Sequence, residues 1–191
     1  MSFKIASFNV NSIKMRLPNV LSWLDKNNID VILMQETKTI DDNFPSLDFK
    51  QKQYNVIFNG QKSYNGVAIA SKYEINEITR SLPFYNESID CYDVSKWQND
   101  ALYLETTRRH LRELINIGLV DAYRIKHPTA KEYSFWDYQG GAWQKDNGIR
   151  IDLFLISPEI VDNLIDVGID KTPRGEEKPS DHAPIWIHLE K

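Results

Sequence analysis

The segment Pro179-Ser180-Asp181-His182-Ala183-Pro184 holds a carboxylate beside an imidazole between two prolines. Directly after it, Ile185-Trp186-Ile187-His188-Leu189 carries apolar residues at every odd position, a pattern that predicts a strand. Because the prolines restrict the backbone on both sides, we expect Asp181 and His182 on a rigid loop at the entrance of that strand. Such a pair can belong to a catalytic or metal site, although a single Asp-His dipeptide is also typical of a surface turn.

The composition of the 191-residue chain is that of one globular domain, since 41% of its residues are hydrophobic and can fill a substantial core. The net charge of −4 argues against general adhesion to nucleic acid or to an anionic membrane. A nucleic-acid ligand would therefore need a local basic patch or metal ions. The single Cys91 excludes an internal disulfide and is typical of a reducing compartment. No apolar run approaches the roughly 20 residues of a membrane span, so we expect a cytoplasmic protein with no membrane partner.

Two predicted strands near the start of the chain lead into polar residues. Residues 3–10 and 29–34 have the apolar patterns of strands, and the second is nearly continuous, as in a central strand. A helix is predicted between them, opening at Leu17-Pro18 and stopping at Asn27-Asn28. Asn9 lies near the end of the first strand, and Glu36 follows the second. Taken singly, each is typical of a turn or of a charged surface.

If these two strands are neighbours in one sheet, Asn9 and Glu36 converge at the same edge. Carboxylate and amide oxygens, together with water, are the ligands that Mg²⁺ prefers. No cluster of cysteine or histidine residues favours zinc instead. Combined with the loop that carries Asp181 and His182, these residues predict a divalent-metal site.

Five further elements are predicted in the middle of the chain: strands at 54–60, 66–71 and 75–82, a loop at 86–100 and a helix at 104–117. The step Asn65-Gly66 marks the turn between the first two of these strands. Gly118 is the expected stop of the helix. The polar side of that helix carries three arginines that either face solvent or contact phosphate: Arg108, Arg109 and Arg112.

Two stretches in the second half of the chain combine apolar and reactive residues. Residues 133–138 are rich in aromatic rings and precede Gly140-Gly141, so the rings either join the core or stack on a base or sugar. Residues 149–156 predict a second central strand that buries Arg150 and Asp152. A buried carboxylate needs a partner, and we expect Asp152 to hold His182 in one tautomer.

Six short motifs occur in a characteristic order along nearly the whole chain: Phe8-Asn9-Val10-Asn11, Gln35-Glu36-Thr37-Lys38, Asn65-Gly66-Val67-Ala68, Ser134-Phe135-Trp136-Asp137-Tyr138, Arg150-Ile151-Asp152 and Pro179-Ser180-Asp181-His182. Their order resembles that of exonuclease III, the abasic-site endonuclease branch of the endonuclease/exonuclease/phosphatase superfamily. The Trp-Asp-Tyr block and the lysine after Gln-Glu-Thr are similar to the DNA-repair branch. They are unlike the sphingomyelinase and inositol-phosphatase branches.

The resemblance implies an α/β fold, a four-layer sandwich of two mixed β-sheets flanked by helices, with residues 1–191 as one domain. It implies a monomeric enzyme that hydrolyses phosphodiesters of double-stranded DNA with Mg²⁺, Mn²⁺ being an alternative. The implied reactions are incision at abasic sites and 3′ to 5′ exonuclease action at 3′ ends.

The resemblance also implies roles for individual residues. Glu36 resembles the main metal ligand, with Asn9 and Asp181 helping to form the site. Asp152 and His182 resemble the acid-histidine pair at the scissile phosphate, and Asn9 lies beside them. The residues expected to contact DNA are Lys38, Asn65, Phe135, Trp136 and Arg150. Of these, Phe135 and Trp136 resemble the pocket for an extrahelical abasic sugar.

The chain departs from the family pattern near residues 86–90. Tyr85-Asn86-Glu87-Ser88 leads almost directly into Ile89-Asp90-Cys91-Tyr92-Asp93, where the family carries an active-site tyrosine and an Asp-x-Asn strand end. The shortfall is roughly 65–70 residues, or several strands and a helix at typical element lengths, so we expect a sandwich that is incomplete in its central strands. The alternative function is therefore an inactive remnant that at most binds DNA or a partner.

Overall fold

The computed structural model describes residues 2–60, 65–75, 91–93 and 118–190. Its main feature is a six-stranded mixed sheet, with the strands in the order β3-β4-β2-β1-β8-β7, beside a two-stranded sheet formed by β5 and β6. The strands are β1 (Ser2–Asn9), β2 (Val31–Gln35), β3 (Asn55–Asn59), β4 (Val67–Ser71), β5 (Val120–Asp121), β6 (Leu155–Ile156), β7 (Leu164–Ile169) and β8 (Ile185–Glu190). The α-helices are α1 (Ile13–Asn27), α2 (Ser46–Gln51), α3 (Ala122–Lys126) and α4 (Pro158–Val161).

The centre of the large sheet brings the predicted polar strand ends together. β1 pairs in parallel with β2, and Asn9 lies opposite Gln35 in the register. Glu36 is the next residue along the chain, so it leaves the sheet at the same edge as Asn9. On its other side β1 pairs antiparallel with β8, with Ser7 opposite Ile185. The loop that precedes β8 therefore reaches this edge as well, which confirms the predicted convergence of the three segments.

Successive side chains of a strand point to opposite faces of the sheet, and each face packs against a hydrophobic core. Even-numbered residues of β1, such as Ala6 and Phe8, join a core with α1 and α2, to which Trp23 and Phe49 belong. Phe3 and Ile5, at odd-numbered positions of β1, pack against a second core between β7, β8 and α3. The fold class predicted from the sequence is thus confirmed. In the part of the chain that is described, the second sheet consists of β5 and β6 alone, and their pairing is antiparallel.

Helix α1 begins earlier than the sequence pattern predicts. Its first residue is Ile13, so Pro18 lies inside the helix instead of opening it. The start is set by the neighbouring segment after β2, because the backbone N–H groups of Ser12 and Ile13 donate to the carbonyls of Glu36 and Thr37 at 2.8 and 3.1 Å. The predicted stop is correct, since Asn28 adopts the left-handed conformation that ends helices.

The long strand predicted at 149–156 is wrong in its extent. Ile149 forms isolated bridges with Cys91 and Phe135, and only Leu155–Ile156 joins a ladder, with Val120–Asp121. Between these points the N–H groups of Ile151 and Asp152 donate to the side-chain oxygen of Ser134 instead of a strand. The predicted strand pair 54–60 and 66–71 is confirmed as β3 and β4.

Several predictions fall on residues outside the described ranges. These are the strand at 75–82, except for its first residue, the break near 86–90, most of the loop at 86–100 and the helix at 104–117 with its three arginines. Among the helices that are described, none has the length and apolar character needed to cross a membrane.

Candidate active site

Asn9 links the metal-ligand candidate to the histidine. It is buried at the end of β1, and its Nδ2 donates to Glu36 Oε1 at 2.8 Å and lies 3.2 Å from His182 Nε2. The amide orientation is set by the backbone N–H of Asn11, which donates to Asn9 Oδ1 at 3.1 Å. The sequence expectation that Asn9, Glu36 and His182 meet at one sheet edge is therefore met by direct contacts.

The other ring nitrogen of His182 is held by Asp152. The distance from His182 Nδ1 to Asp152 Oδ2 is 2.8 Å, which is the predicted contact. Ser134 fixes the backbone of the acid, since its buried Oγ accepts the N–H groups of Ile151 and Asp152, both at 3.1 Å. Ser180 fixes the backbone of the histidine, because its Oγ accepts the N–H of His182 and donates to the Asn9 carbonyl.

Electrostatics favour the charged form of His182. Burial by itself lowers the pKa of this ring, but the negative charge and hydrogen bond of Asp152, with Asp181 and Glu36 adding further negative charge, outweigh burial and raise the pKa above its usual value. With Nδ1–H on Asp152, the Nε2 of a neutral ring accepts a hydrogen bond from Asn9 Nδ2, whereas the Nε2–H of an imidazolium needs another acceptor. That arrangement suits an anionic ligand such as phosphate.

Glu36 and Lys38 leave β2 through an unusual backbone. Both have φ of +50°, the left-handed region that non-glycine residues rarely adopt. The turn is tied to β4, since Thr37 N donates to the Gly66 carbonyl and Lys38 N to that of Asn65. Lys38 Nζ lies 2.9 Å from Glu36 Oε2. Burial raises the pKa of Glu36, but the hydrogen bonds from Asn9 and Lys38 and the lysine charge lower it overall.

Asn11 is a site residue that sequence reasoning quoted in a motif but did not assign. Its Nδ2 donates to Asp181 Oδ1 at 2.8 Å, and its Oδ1 accepts a hydrogen bond from Lys38 Nζ. Asp181 is thus joined to Glu36 through Asn11 and Lys38. The sequence signal that could have identified Asn11 is its position two residues after Asn9, just beyond the end of β1.

Tyr138 is an exposed residue whose hydroxyl holds Asn11 in place. Its hydroxyl accepts hydrogen bonds from Asn11 Nδ2 at 3.1 Å and from Arg16 Nη2 at 2.9 Å, and donates to the Pro179 carbonyl at 2.9 Å. Arg16 also donates to the carbonyls of Asn11 and Pro179. The guanidinium of Arg174 lies over the Tyr138 ring, 5.3 Å from its centroid. These contacts clamp the loop of Asp181 against the end of β1.

The expected DNA contacts divide into exposed and buried residues. Asn65 is exposed at the turn before β4. Phe135 is partly exposed, and its ring centroid lies 4.9 Å from that of His182. Trp136 is 0% exposed, and its Nε1 donates to Asp146. The expectation that Trp136 lines an open sugar pocket is therefore corrected: it belongs to the core, where it packs on Tyr133.

Arg150 is likewise not placed to meet DNA. It is 3% exposed, and its Nη2 lies 2.5 Å from Asp121 Oδ2. Its guanidinium also covers the ring of Tyr123 at 5.2 Å. The expected DNA contact of Arg150 is corrected to a buried ion pair, because a desolvated guanidinium needs a carboxylate.

The donor set at the sheet edge fits a hard divalent cation. The oxygen donors are the carboxylates of Glu36 and Asp181 and the amides of Asn9 and Asn11. Within the described ranges, no three or more His, Cys, Asp or Glu side chains cluster closely enough to hold a metal. Mg²⁺ commonly uses only one or two carboxylates and keeps several waters, so these residues suit Mg²⁺ or Mn²⁺ and do not suit a zinc cage.

Comparisons with known proteins identify the relatives of this chain. A model of the Endonuclease/Exonuclease/phosphatase family matches residues 6–107. Exodeoxyribonuclease III of Haemophilus influenzae is 28% identical over 265 residues, covering 97% of this chain and 99% of that protein. Because that alignment is longer than the 191-residue chain, parts of the relative have no counterpart here.

Two solved structures share the fold. One is an AP endonuclease from Archaeoglobus fulgidus, with a TM-score of 0.93 and 29% identity, covering 99% of this chain and 100% of that one. The other is the 3′ phosphatase NExo from Neisseria, bound to a product DNA hairpin, with a TM-score of 0.93, 27% identity and the same coverage. The chain therefore belongs to the endonuclease/exonuclease/phosphatase family, in its exonuclease III branch.

Proposed function

We propose that this chain is a Mg²⁺-dependent DNA-repair nuclease, with Mn²⁺ as an alternative metal, that hydrolyses phosphodiesters of double-stranded DNA at abasic sites and 3′ ends. The observation that carries the proposal is the unbroken series of contacts from Asp152 through His182 and Asn9 to Glu36. It joins an acid-histidine pair to a carboxylate that can hold a metal. The names of the similar proteins, exodeoxyribonuclease III and AP endonuclease, support the same reaction class.

The residues supply two kinds of stabilisation to the reacting phosphate. His182, held at Nδ1 by Asp152, donates Nε2–H to a phosphate oxygen, a position where negative charge grows in the transition state. Asn9 Nδ2 lies 3.2 Å from His182 Nε2, so its amide N–H is close to the same region. Glu36 and Asp181 would hold a divalent cation, which when bound would neutralise negative charge on the phosphate and on the leaving 3′ oxygen.

Two basic side chains lie at the site although the chain as a whole is acidic. Lys38 and Arg16 both reach the site, while the chain as a whole carries −4. These two cations place positive charge at the sheet edge where the chemistry would occur. Phe135, which packs beside His182, is the ring that we assign to an abasic sugar turned out of the duplex.

The second candidate function is an inactive remnant that binds DNA. It is favoured by the alignment with the Haemophilus enzyme, which extends over more positions than this chain possesses. The family's Asp-x-Asn strand end is absent from the sequence, and loss of a positioned acid-base group typically lowers a rate by about 10²–10⁴.

The test is incision of a duplex that contains one tetrahydrofuran abasic analogue, with Mg²⁺ and with chelator, by protein of verified intact mass near 22.3 kDa. Exonuclease action is measured on a blunt duplex with a labelled 5′ end. We expect Mg²⁺-dependent incision that Glu36→Ala and His182→Ala abolish. His188→Ala is the control, because His188 lies within β8, opposite Lys4.

Absence of incision by protein of that mass would overturn the nuclease proposal and favour the remnant. Incision that survives both site variants would show that another part of the chain, or a contaminant, performs the reaction. Light scattering during size-exclusion chromatography tests the proposed monomer.

A further inference from the structure

Lys38 lies beside Glu36, the carboxylate proposed to hold the metal. Its ammonium lies 2.9 Å from Glu36 Oε2 and donates to Asn11 Oδ1. Asn11 in turn donates to Asp181. The lysine is thus the cation that connects the two carboxylates of the donor set.

We propose that Lys38 is an internal cation that holds Glu36 and Asn11 in place in the metal-free protein, and that a divalent metal binds by displacing its ammonium from Glu36. The proposal rests on the proposed function, since it concerns the same metal site. It assigns Lys38 a part in metal binding that is separate from any contact with DNA.

The backbone is built to deliver this lysine to the site. Glu36 and Lys38 are two residues apart and both adopt φ of +50°, a conformation that is unfavourable for residues with a Cβ. The strained turn is anchored by Lys38 N on the Asn65 carbonyl and by Thr37 N on Gly66. Strain at a site is maintained when the surroundings over-determine it, and here the turn places the Lys38 ammonium against both Glu36 and Asn11.

The charges at the site explain why Lys38 stabilises the metal-free protein and why it competes with a metal ion for Glu36. Glu36 and Asp181 are brought to one edge, where uncompensated carboxylates repel each other. The Lys38 ammonium relieves that repulsion without metal. Both side chains of the ion pair are partly exposed, at 26% for Lys38 and 39% for Glu36, so water screens the contact and a divalent ion can replace it.

After displacement, Lys38 remains beside Asn11 with its ammonium turned away from Glu36. It is then free to meet a DNA phosphate, which reconciles the internal contact with the DNA-binding role that the sequence suggested. Binding of the metal and binding of DNA would thus be coupled through the Lys38 side chain.

The experiment measures binding of Mn²⁺ alone, by electron paramagnetic resonance of the free ion, together with thermal unfolding in Mn²⁺ and in chelator. The variants are Lys38→Met, Lys38→Gln, which keeps a donor for Asn11 without the charge, and Lys38→Arg. Lys171→Met is the matched control, because Lys171 forms a similarly exposed ion pair at 2.8 Å with Glu132, which is not one of the metal-ligand candidates.

We expect Lys38→Met and Lys38→Gln to bind Mn²⁺ about three- to tenfold more tightly, as expected for loss of a partly screened competing ion pair and its positive charge. In chelator, both variants should unfold at a lower temperature than the wild type. Addition of Mn²⁺ should raise their unfolding temperature by more than that of the wild type. Lys38→Arg and Lys171→Met should bind Mn²⁺ like the wild type.

Unchanged or weaker Mn²⁺ binding by both neutral variants would overturn the proposal while leaving the metal site intact. A failure of the wild type and of both neutral variants to bind Mn²⁺ would overturn it together with the metal dependence of the proposed function. An equal gain in Lys171→Met would attribute the effect to general charge and would also overturn it.

Discussion

Asp152 Oδ2 lies 2.8 Å from Nδ1 of His182, a residue 30 positions further along the chain. The opposite ring nitrogen faces Asn9 Nδ2 at 3.2 Å. The ring is thus oriented from both sides, with one edge on an acid and the other at the metal-ligand candidates. This geometry makes the charge of His182 depend on Asp152.

Replacing Asp152 with asparagine should lower the pKa of His182. The substitution keeps the shape of the side chain but removes the negative charge that raises the pKa, while the burial that lowers it remains. Titration of the His182 ring by NMR, assigned with the His182→Ala variant, measures the change. Incision activity near neutral pH should fall by about 10²–10⁴. A histidine pKa equal to that of the wild type would contradict this account of the pair.

The same pair predicts how stability depends on pH. Because the pKa of His182 is raised in the folded state, its contribution to the free energy of unfolding is fully present below the unfolded pKa of about 6.5 and is lost as pH rises through the folded value. Urea unfolding of wild type and Asp152→Asn should therefore differ most below about pH 6. A difference that is constant between about pH 5 and 9 would refute the linkage.

Neighbouring aromatic residues should behave in opposite ways. Trp136→Ala is expected to lower the free energy of unfolding by about 3–5 kcal/mol, because the ring is fully buried against Tyr133. Phe135→Ala should cost less than about 2 kcal/mol, since its ring is only partly buried, yet should weaken abasic-site incision through its contact with His182. Urea unfolding and incision assays on both variants measure the contrast. Equal losses of stability would contradict it.

Arg150→Met tests the reassignment of this residue from DNA contact to ion pair. The variant leaves the half-buried Asp121 without its guanidinium, so the free energy of unfolding should fall by about 3–5 kcal/mol. The dependence of DNA affinity on salt concentration should keep its slope, because no phosphate contact is lost. A second variant, Arg150→Met with Asp121→Asn, should recover part of the stability. A shallower salt slope in Arg150→Met would restore the DNA-contact interpretation.

Tyr138→Phe removes one oxygen that serves Asn11, Arg16 and Pro179. The ring should remain under Arg174, and the free energy of unfolding should fall by only about 1 kcal/mol, because Tyr138 is exposed and water can replace the hydrogen bonds of its hydroxyl. We expect a several-fold decrease in kcat at saturating DNA, because Asn11 loses one of the groups that orient it. A change confined to KM would instead assign Tyr138 to substrate binding.

Much of the site could be predicted from local pattern. The alternation in residues 3–10 and the apolar run at 29–34 correctly predicted two central strands, and their shared edge correctly predicted that Asn9 meets Glu36. The charge buried within 149–156 correctly predicted the partnership of Asp152 with His182. In each case the reason is that strand periodicity decides which side chains are buried, and a buried polar group must find a partner.

The errors arose where a partner far along the chain made the choice. Helix α1 starts at Ile13 because backbone carbonyls of the segment after β2 accept its first N–H groups. Residues 150–154 lie outside the strand ladder, and Ser134 accepts the N–H groups of Ile151 and Asp152. A pattern within ten neighbouring residues cannot predict contacts with segments that lie far along the chain.

The sequence by itself indicated the family, through the order of its six motifs, and the candidate site residues. Only the tertiary structure decided which of them face the site: Phe135 beside His182 but Trp136 in the core, and Arg150 on Asp121. The physical reason is that residue type sets what a side chain can do, whereas burial and the nearest opposite charge, supplied by distant segments, decide what it does.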